Sequence, residues 1–490
     1  MDTSMTEDDD FSINTSNFLH FFTTSQPFLS DKVELADLRK DGRGRGVIAK
    51  ADVEEDEDLF SLHRDGILSV ENSALVKDEA GSKVLADLDD PWLSLILVLI
   101  HERDRPASPW KDYINVLRDS DLDTLMFWEE PDLAELQASA IRNKIGRVGA
   151  DGTFKSKLIP AIKANTNLFP NAGAMGDEQL LALAHWAGST IMAYAFDIEK
   201  QPSAQTKDEE GYVSDEEEEY LPKGLVPMAD MLNADADRNN ARLFYEEDTV
   251  VMRAIKPVKA GEELFNDYGP LPRADLLRRY GYITENYAKY DVVELSTEFI
   301  IETVRSGLTP TDRKHLEGSL AGIEEALEER GYWDDAYIVS AFTEDDEDPL
   351  FPPGLQMLLY RLTTLGRTKF AKRPEVIDKE DQGRMRQSYV DVLKARLAQY
   401  ETSIEEDQDS LRRLGLHQSG TNDQNPGTIR SSRHAKAVHV RLGEKLLLQQ
   451  AISHVSIDSL RPTNGSSRPE ERVGGEEGRP NKRTKLSNGS

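Results

Sequence analysis

The chain is 490 residues long and contains no cysteine. That excludes disulfide staples and cysteine-built zinc sites, which hold small loop-rich modules together without a large core. This chain must instead rest on buried apolar side chains. Its length is enough for two or three domains with cores of their own. Hydrophobic residues make up 38% and charged residues 30%, so substantial polar loops or tails accompany those cores. The best apolar run, Trp92 to Ile100, is too short to cross a bilayer. The acidic start MDTSMTEDDD is followed by no cleavable apolar core, so neither a secretory signal nor a membrane partner is expected.

The net charge is -31, and the isoelectric point is about 4.7. Such a chain is not expected to bind bare nucleic acid directly. The charge suits a basic protein partner reached by electrostatic steering, and it suits solubility alone equally well.

Periodicity and breakers outline an α+β organisation. Residues 1–16 are polar and predicted to be disordered. A helix is expected from Asn17 to about Arg39, interrupted by Pro27. Val47–Ala49 and Leu59–Leu62 read as short strands around an acidic turn. From Ser73 to Asp197 the pattern is helical, with helices expected over Pro91–Glu102, Pro109–Trp128, Pro131–Ile145 and Gln179–Asp197. Lys207–Tyr220, within an acidic loop over 201–222, has too few apolar residues to order itself. Ser214, followed by Asp215, Glu216 and Glu217, has the pattern of an acid-directed phosphorylation site. Residues 311–454 are helix-rich, with helices over Asp312–Arg330, Pro352–Leu365, Gln387–Tyr400 and His434–Val455 and a polar loop over Ser419–Ser432. Residues 456–490 form a polar tail, predicted to be disordered, whose basic cluster Arg479–Lys485 is a candidate nuclear import signal.

Chemistry concentrates in Leu225–Tyr282. Asp230-Met231-Leu232-Asn233 ends in a side-chain amide. Ile255–Glu263 reads as a strand end and a glycine turn. Asn266-Asp267-Tyr268-Gly269 sets a tyrosine before a flexible residue, and Tyr280 follows in Arg279-Tyr280-Gly281-Tyr282. Upstream, Gly42, Gly44 and Gly46 allow a tight turn and close approach of backbone to a ligand. That turn lacks the strand–turn–helix context of a dinucleotide site, and no Lys-Ser pair follows it. Each tyrosine alone is more often a structural residue with a satisfied hydroxyl. Together these residues suit a polar ligand beside a narrow aromatic channel.

The run MADMLNAD, followed by FNDYG and LLRRYGY, resembles the C-terminal half of a SET domain, the fold of protein lysine methyltransferases. It is most similar to the branch holding fungal ribosomal lysine N-methyltransferase 4 and animal SET-domain-containing protein 6. The resemblance covers residues 30–300 and, diffusely, 300–455. It implies a SET domain of short β-strands over 17–300, with a helical insertion over about 73–200. An all-α Rubisco-methyltransferase-type substrate-binding domain over 301–455 then takes the place of the zinc modules this chain cannot build.

The resemblance further implies S-adenosyl-L-methionine as cofactor and no metal. Tyr268 falls at the catalytic tyrosine. Arg43, Gly44 and Arg45 match a turn that contacts the cofactor mostly through backbone; Tyr194, Asn233, Ala234 and Tyr280 match further cofactor positions. Trp92, Ala195, Asp197 and Tyr280 match positions beside the substrate lysine. Many members carry His where this chain has Ala234; the ring is lost and the backbone remains. The implied substrate is a lysine of a large-subunit ribosomal protein, or, by the animal branch, of a transcription factor or histone. A monomer acting in the nucleus, and in the cytoplasm as well, is expected. A non-catalytic SET-like module that binds basic peptides is a reading of a different class, and an acidic chaperone explains the charge but none of the motifs.

Overall fold

The computed structural model describes residues 4–41, 43–118, 122–201, 221–341, 351–365, 379–414 and 426–458. Gly42, Ser214 with nearly all of its acidic loop, part of the polar loop at 419–432 and the basic cluster 479–485 lie outside the described residues. The chain begins with α1 (Ser4–Ser25), β1 (Phe28–Leu29), β2 (Val33–Asp37), β3 (Arg45–Ala49), β4 (Asp58–His63) and β5 (Leu68–Ser69). Helices follow: α2 (Ala74–Lys77), α3 (Glu79–Leu88), α4 (Pro91–Asp104), α5 (Lys111–Arg118), α6 (Glu130–Ala134), α7 (Arg147–Thr153), α8 (Ile159–Ala164) and α9 (Asp177–Tyr194). Next come β6 (Ala195–Asp197), β7 (Lys223–Leu225), β8 (Asn233–Ala234), β9 (Ala241–Tyr245), β10 (Thr249–Ala254), β11 (Glu263–Asn266), α10 (Arg273–Tyr280) and β12 (Val292–Ser296). The remainder holds α11 (Thr297–Ser306), α12 (Pro310–Glu328), β13 (Ala336–Ser340), α13 (Pro353–Thr363), α14 (Lys379–Leu397), α15 (Ile404–Arg413) and α16 (Pro426–Asp458). None of the helices is long and apolar enough to cross a membrane among the described residues.

Three small sheets frame the first part of the chain, ordered β1-β4-β10-β9, β2-β3-β11-β8 and β5-β7-β6. In the second, β11 pairs antiparallel with β3 and parallel with β8. That strand joins the start of the domain to the Asn233 segment, and Tyr268 follows two residues beyond its end.

The N-terminus departs from expectation. Disorder was predicted over 1–16, but α1 begins at Ser4. Phe11, Phe18 and Phe22 are buried, and their spacing of seven and four residues puts them on one face. One such stripe is enough to dock a helix whose other faces are polar. The helix predicted to run to about Arg39 stops at Ser25. Pro27 breaks it, and Val33–Asp37 then alternates inside and outside and pairs with β3, Val33 against Ala49 and Asp37 against Arg45.

The insertion contains α4 as expected. Asp90 caps it by accepting from the backbone N–H groups of Trp92 and Leu93, with Pro91 in its first turn. The helices predicted over 109–128 and 131–145 are shorter, because Leu125, Trp128, Leu136 and Ile141 face one cluster with Leu277, Ala437 and Val440. Tertiary partners, not local period, set those bends. The helix predicted to reach Asp197 ends at Tyr194, and Ala195–Asp197 turns into a strand against Lys223–Leu225.

The chain divides into two compact units. One comprises Met1–Glu294, Ile338–Phe351 and Ala398–Leu447; the other Leu295–Tyr337, Pro352–Leu397 and Leu448–Ser490. A single boundary at 300 is expected from sequence, yet residues 398–447 cluster with the first unit. Within it, Arg433 pairs with Asp123 and Asp132, Lys436 pairs with Asp123, and Glu444 accepts from Ser139 and Tyr400. The second unit packs α11 to α14 around Ile300, Leu316, Leu327, Leu358 and Tyr389.

Candidate active site

The glycine turn is closed by two backbone bonds, Leu38 N–H to Gly44 O at 2.8 Å and Arg43 N–H to Leu38 O at 3.1 Å. Gly44 has φ of +30°, and a Cβ there would meet nothing within 4 Å, so the crest of the turn faces open space. Gly46 is the opposite case. A Cβ there would overlap Leu38 Cδ1 and lie 2.9 Å from Glu263 Oε1 and 3.0 Å from Asn233 Nδ2. Three segments meet over its bare Cα.

Glu263 links them. Its Oε2 pairs with Arg43, and its Oε1 accepts from Asn233 Nδ2 at 2.7 Å. The same amide nitrogen reaches Arg45 O at 3.3 Å. Arg45 thus offers only backbone here; its buried side chain turns away to donate to Thr15 Oγ1 at 2.9 Å. Asn233 and Ala234 lie opposite Phe265 and Asn266 in the parallel pairing. Asn240 clamps that junction, accepting from Phe265 N–H at 2.8 Å and donating to Glu263 O at 3.0 Å.

Beyond β11, Tyr268 stacks on Tyr280, with ring centroids 4.2 Å apart and planes 10° from parallel. Tyr282 lies 6.3 Å from Tyr280. Burial pushes the Tyr268 hydroxyl well above the usual phenol range, and the neighbouring phenols Tyr282, Tyr280, Tyr194 and Tyr287 add to it. Burial likewise raises Tyr280, and it raises Tyr282 well above that range. These phenols remain neutral at ordinary pH. They serve as hydrogen-bond donors and acceptors, not as bases. Tyr287 is fully buried and its hydroxyl has no hydrogen-bond partner among the described residues, an uncommon state that leaves it able to bond a water or a ligand group.

A further pair lies next to this site. Tyr113 donates to Asp230 Oδ2, three residues before Asn233, while the buried Asp230 Oδ1 has no partner among the described residues. Burial pushes the Asp230 carboxyl up to about 8, against the bond from Tyr113. Met228, in the same turn, has φ of +76° although it is not glycine.

The sequence-derived residues thus fall into groups. Arg45 is bonded to Asn233 through its backbone O and Arg43 reaches Asn233 through Glu263, with Gly44 between them and Ala234 next in the chain to Asn233; Tyr268 stacks on Tyr280, and Tyr194 is among the phenols near Tyr268. Ala195 follows Tyr194 directly into β6. Asp197 stands farther along that strand, exposed and paired with Lys223 Nζ at 2.6 Å. Trp92 is 37% exposed at the start of α4. Asp197 O accepts from Tyr245 at 2.7 Å. Glu263, Tyr282, Tyr287 and Tyr113 join the site only in the folded structure. Tyr282 alone left a signal, as the second tyrosine of RYGY; the others depend on partners far away in the chain.

Family models match two parts of the chain: the SET domain over residues 44–269, and the Rubisco LSMT substrate-binding domain over residues 361–448. The first match starts at the crest of the glycine turn and ends just past Tyr268. Residues 44–269 form a SET domain. Around this SET domain the chain is 35% identical over 305 residues to ribosomal lysine N-methyltransferase 4 of Saccharomyces cerevisiae, covering 61% of this chain and 61% of that protein. It is 32% identical over 248 residues to N-lysine methyltransferase SETD6 of Mus musculus, covering 49% of this chain and 48% of that one. The chain therefore spans about three fifths of the first relative and half of the second. The SET domain structure of LSMT bound to methyl-lysine and AdoHcy has a TM-score of 0.63 at 21% identity, covering 91% of this chain and 92% of that one. That likeness shows a shared fold.

Proposed function

We propose that the protein is an S-adenosylmethionine-dependent protein-lysine N-methyltransferase, acting on a lysine of a large-subunit ribosomal protein. The observation that carries this is the joining of the glycine turn to Asn233 through Glu263, one strand away from a stack of neutral tyrosines. The residues fit such a cofactor. The turn crest at Gly44 is open, and the buried Tyr287 hydroxyl lacks a partner among the described residues. Arg43, Gly44 and Arg45, with Asn233, Ala234, Tyr194 and Tyr280, hold the cofactor. When bound, it supplies a methyl group on a positively charged sulfur, an electrophile for an amine.

The chain's own part is positioning and desolvation. The aromatic walls exclude water, which lowers the pKa of an entering lysine and favours its neutral, nucleophilic form. The Tyr268 hydroxyl oxygen would accept CH···O contacts from the methyl group beside the amine, each worth about 0.5–1 kcal/mol. Orientation of this kind accounts for roughly 7–11 kcal/mol in well-aligned systems. Ala195 and Tyr280 flank the lysine, and the resemblance assigns Trp92 and Asp197 to the same side, although Asp197 is exposed and paired with Lys223. The yeast relative's name supports a ribosomal substrate, and the net charge of -31 suits a basic one. Nuclear import through the cluster Arg479–Lys485 belongs to the same proposal.

The test is transfer of labelled methyl from S-adenosylmethionine into ribosomal proteins by the wild type and by Tyr268→Phe, with the product mapped by mass spectrometry. One labelled large-subunit lysine is expected, with the rate reduced about 10²-fold or more in the variant. Cofactor binding without ribosomal labelling would redirect the activity to nuclear proteins, in line with the SETD6 likeness. No cofactor binding would leave the peptide-binding scaffold.

A further inference from the structure

The first half of α1, where disorder is expected from sequence, grips the glycine turn at both ends. Phe11 is buried in α1. The guanidinium carbon of Arg39 lies 3.8 Å from its ring centroid and that of Arg45 lies 3.7 Å from it. Two guanidiniums so close to one centroid cannot share a face, so the ring lies between them. Arg39 precedes the turn and Arg45 follows it.

Each arginine is held further. Arg39 meets Asp37 in a two-pronged ion pair, Nε to Oδ1 at 2.9 Å and Nη2 to Oδ2 at 2.7 Å. Arg45 donates through Nε to Thr15 Oγ1 at 2.9 Å and through Nη2 to Phe11 O at 3.0 Å. Meanwhile Arg43, between them, reaches the other way to Glu263 and so to Asn233. The three arginines of one short segment are therefore tied to two different parts of the protein, with the turn strung between.

We infer that α1 is a positioning element for the cofactor: Phe11, clamped between Arg39 and Arg45, holds the turn 39–45 in its binding conformation. A turn with glycines at 42, 44 and 46 has much conformational freedom to lose when a ligand binds. Fixing both ends beforehand removes part of that loss and strengthens binding without adding a contact to the ligand. The inference rests on the proposed reading of this turn as a cofactor contact.

Calorimetric titration of the full-length chain with S-adenosylmethionine tests it. Phe11→Leu keeps the apolar volume but removes the ring face. It is expected to weaken cofactor affinity about tenfold and to raise the cofactor KM, while kcat at saturating cofactor stays within about twofold. Phe11→Tyr, which keeps the ring, retains more affinity than Phe11→Leu. The Leu38 and Arg43 amide hydrogens, bonded across the turn, exchange faster in Phe11→Leu. A merely structural role would lower the melting temperature without this split between KM and kcat. Should Phe11→Leu not fold, Arg39→Met removes the outer half of the clamp and gives the same readouts. Unchanged affinity in the folded clamp variant, with binding lost in Asn233→Ala, would overturn the clamp alone. Unchanged affinity in Asn233→Ala would overturn the cofactor-site reading beneath it.

Discussion

At Gly46 a single hydrogen in place of a methyl group decides whether Asn233 reaches its position. In Gly46→Ala the new Cβ would crowd Glu263 Oε1 and Asn233 Nδ2. The expected result is a cofactor affinity at least about tenfold weaker by calorimetry. Gly44→Ala has room for its Cβ and carries only the strain of a positive φ, about 1 kcal/mol in denaturant unfolding. Similar losses of affinity in both variants would refute this distinction. Asp230 gives the second prediction. Its carboxyl is pushed up to about 8 when folded, against about 3.9 in an unfolded chain. The folded state therefore keeps a proton that the unfolded chain releases. The stabilisation from this group is complete below about pH 4 and is lost as pH rises to about 8. Asp230→Asn keeps an acceptor for Tyr113 and cannot ionise. Urea midpoints measured from pH 5 to pH 9 should fall less steeply in the variant; parallel curves would mean that Asp230 is ionised throughout.

Among the elements, α10 matters most because it carries Tyr280 to its stack with Tyr268. Its first residue, Arg273, is buried and bound to Asp291 by Nε at 2.9 Å, by Nη2 at 2.6 Å and by its backbone N–H at 3.0 Å. Its last turn ends at Gly281, with φ of +77°, where a side chain would collide with the backbone of Asp123 and Thr124. Arg273→Met would leave the buried Asp291 carboxylate without its guanidinium and with only the backbone N–H of residue 273, at a cost of about 3–5 kcal/mol. Gly443 lies inside α16, where alanine ordinarily gains about 1 kcal/mol. Here its Cβ would overlap both Arg273 Nη2 and Asp291 Oδ2, so Gly443→Ala is expected to destabilise. Chemical denaturation of both variants checks this, and a more stable Gly443→Ala would show that α16 moves aside.

For the whole molecule, the net charge of -31 is the dominant long-range feature. If it draws in a basic substrate, raising ionic strength shortens the reach of that attraction, from about 10 Å at 0.1 M to about 3 Å at 1 M. The expected outcome is a protein-substrate KM that climbs with salt while kcat holds steady. A KM insensitive to salt would make the charge a matter of solubility only.

The readable parts of this chain were those whose meaning lies within a few residues or in a fixed motif distance. Pro91–Asp104 announces itself by Asp90, Pro91 and a continuous apolar run. Asn233 and Tyr268 stand out because the polar–apolar runs around them recur at a family spacing, and the SET domain follows from that pattern. The hidden parts depend on partners far along the chain. Arg43 meets Glu263 across 220 residues and Arg433 meets Asp123 across 310. Phe11 sits in a segment whose composition reads as disorder, and Tyr287 has no motif at all. Local sequence sets backbone preference and the apolar stripe of each element. It does not say which stripe lies against which, because that choice minimises exposed apolar area and unpaired charge over the whole chain at once. The chemistry of the site was thus present in the residue types, while the folded arrangement alone joined the N-terminal helix to the glycine turn and residues 398–447 to the first unit.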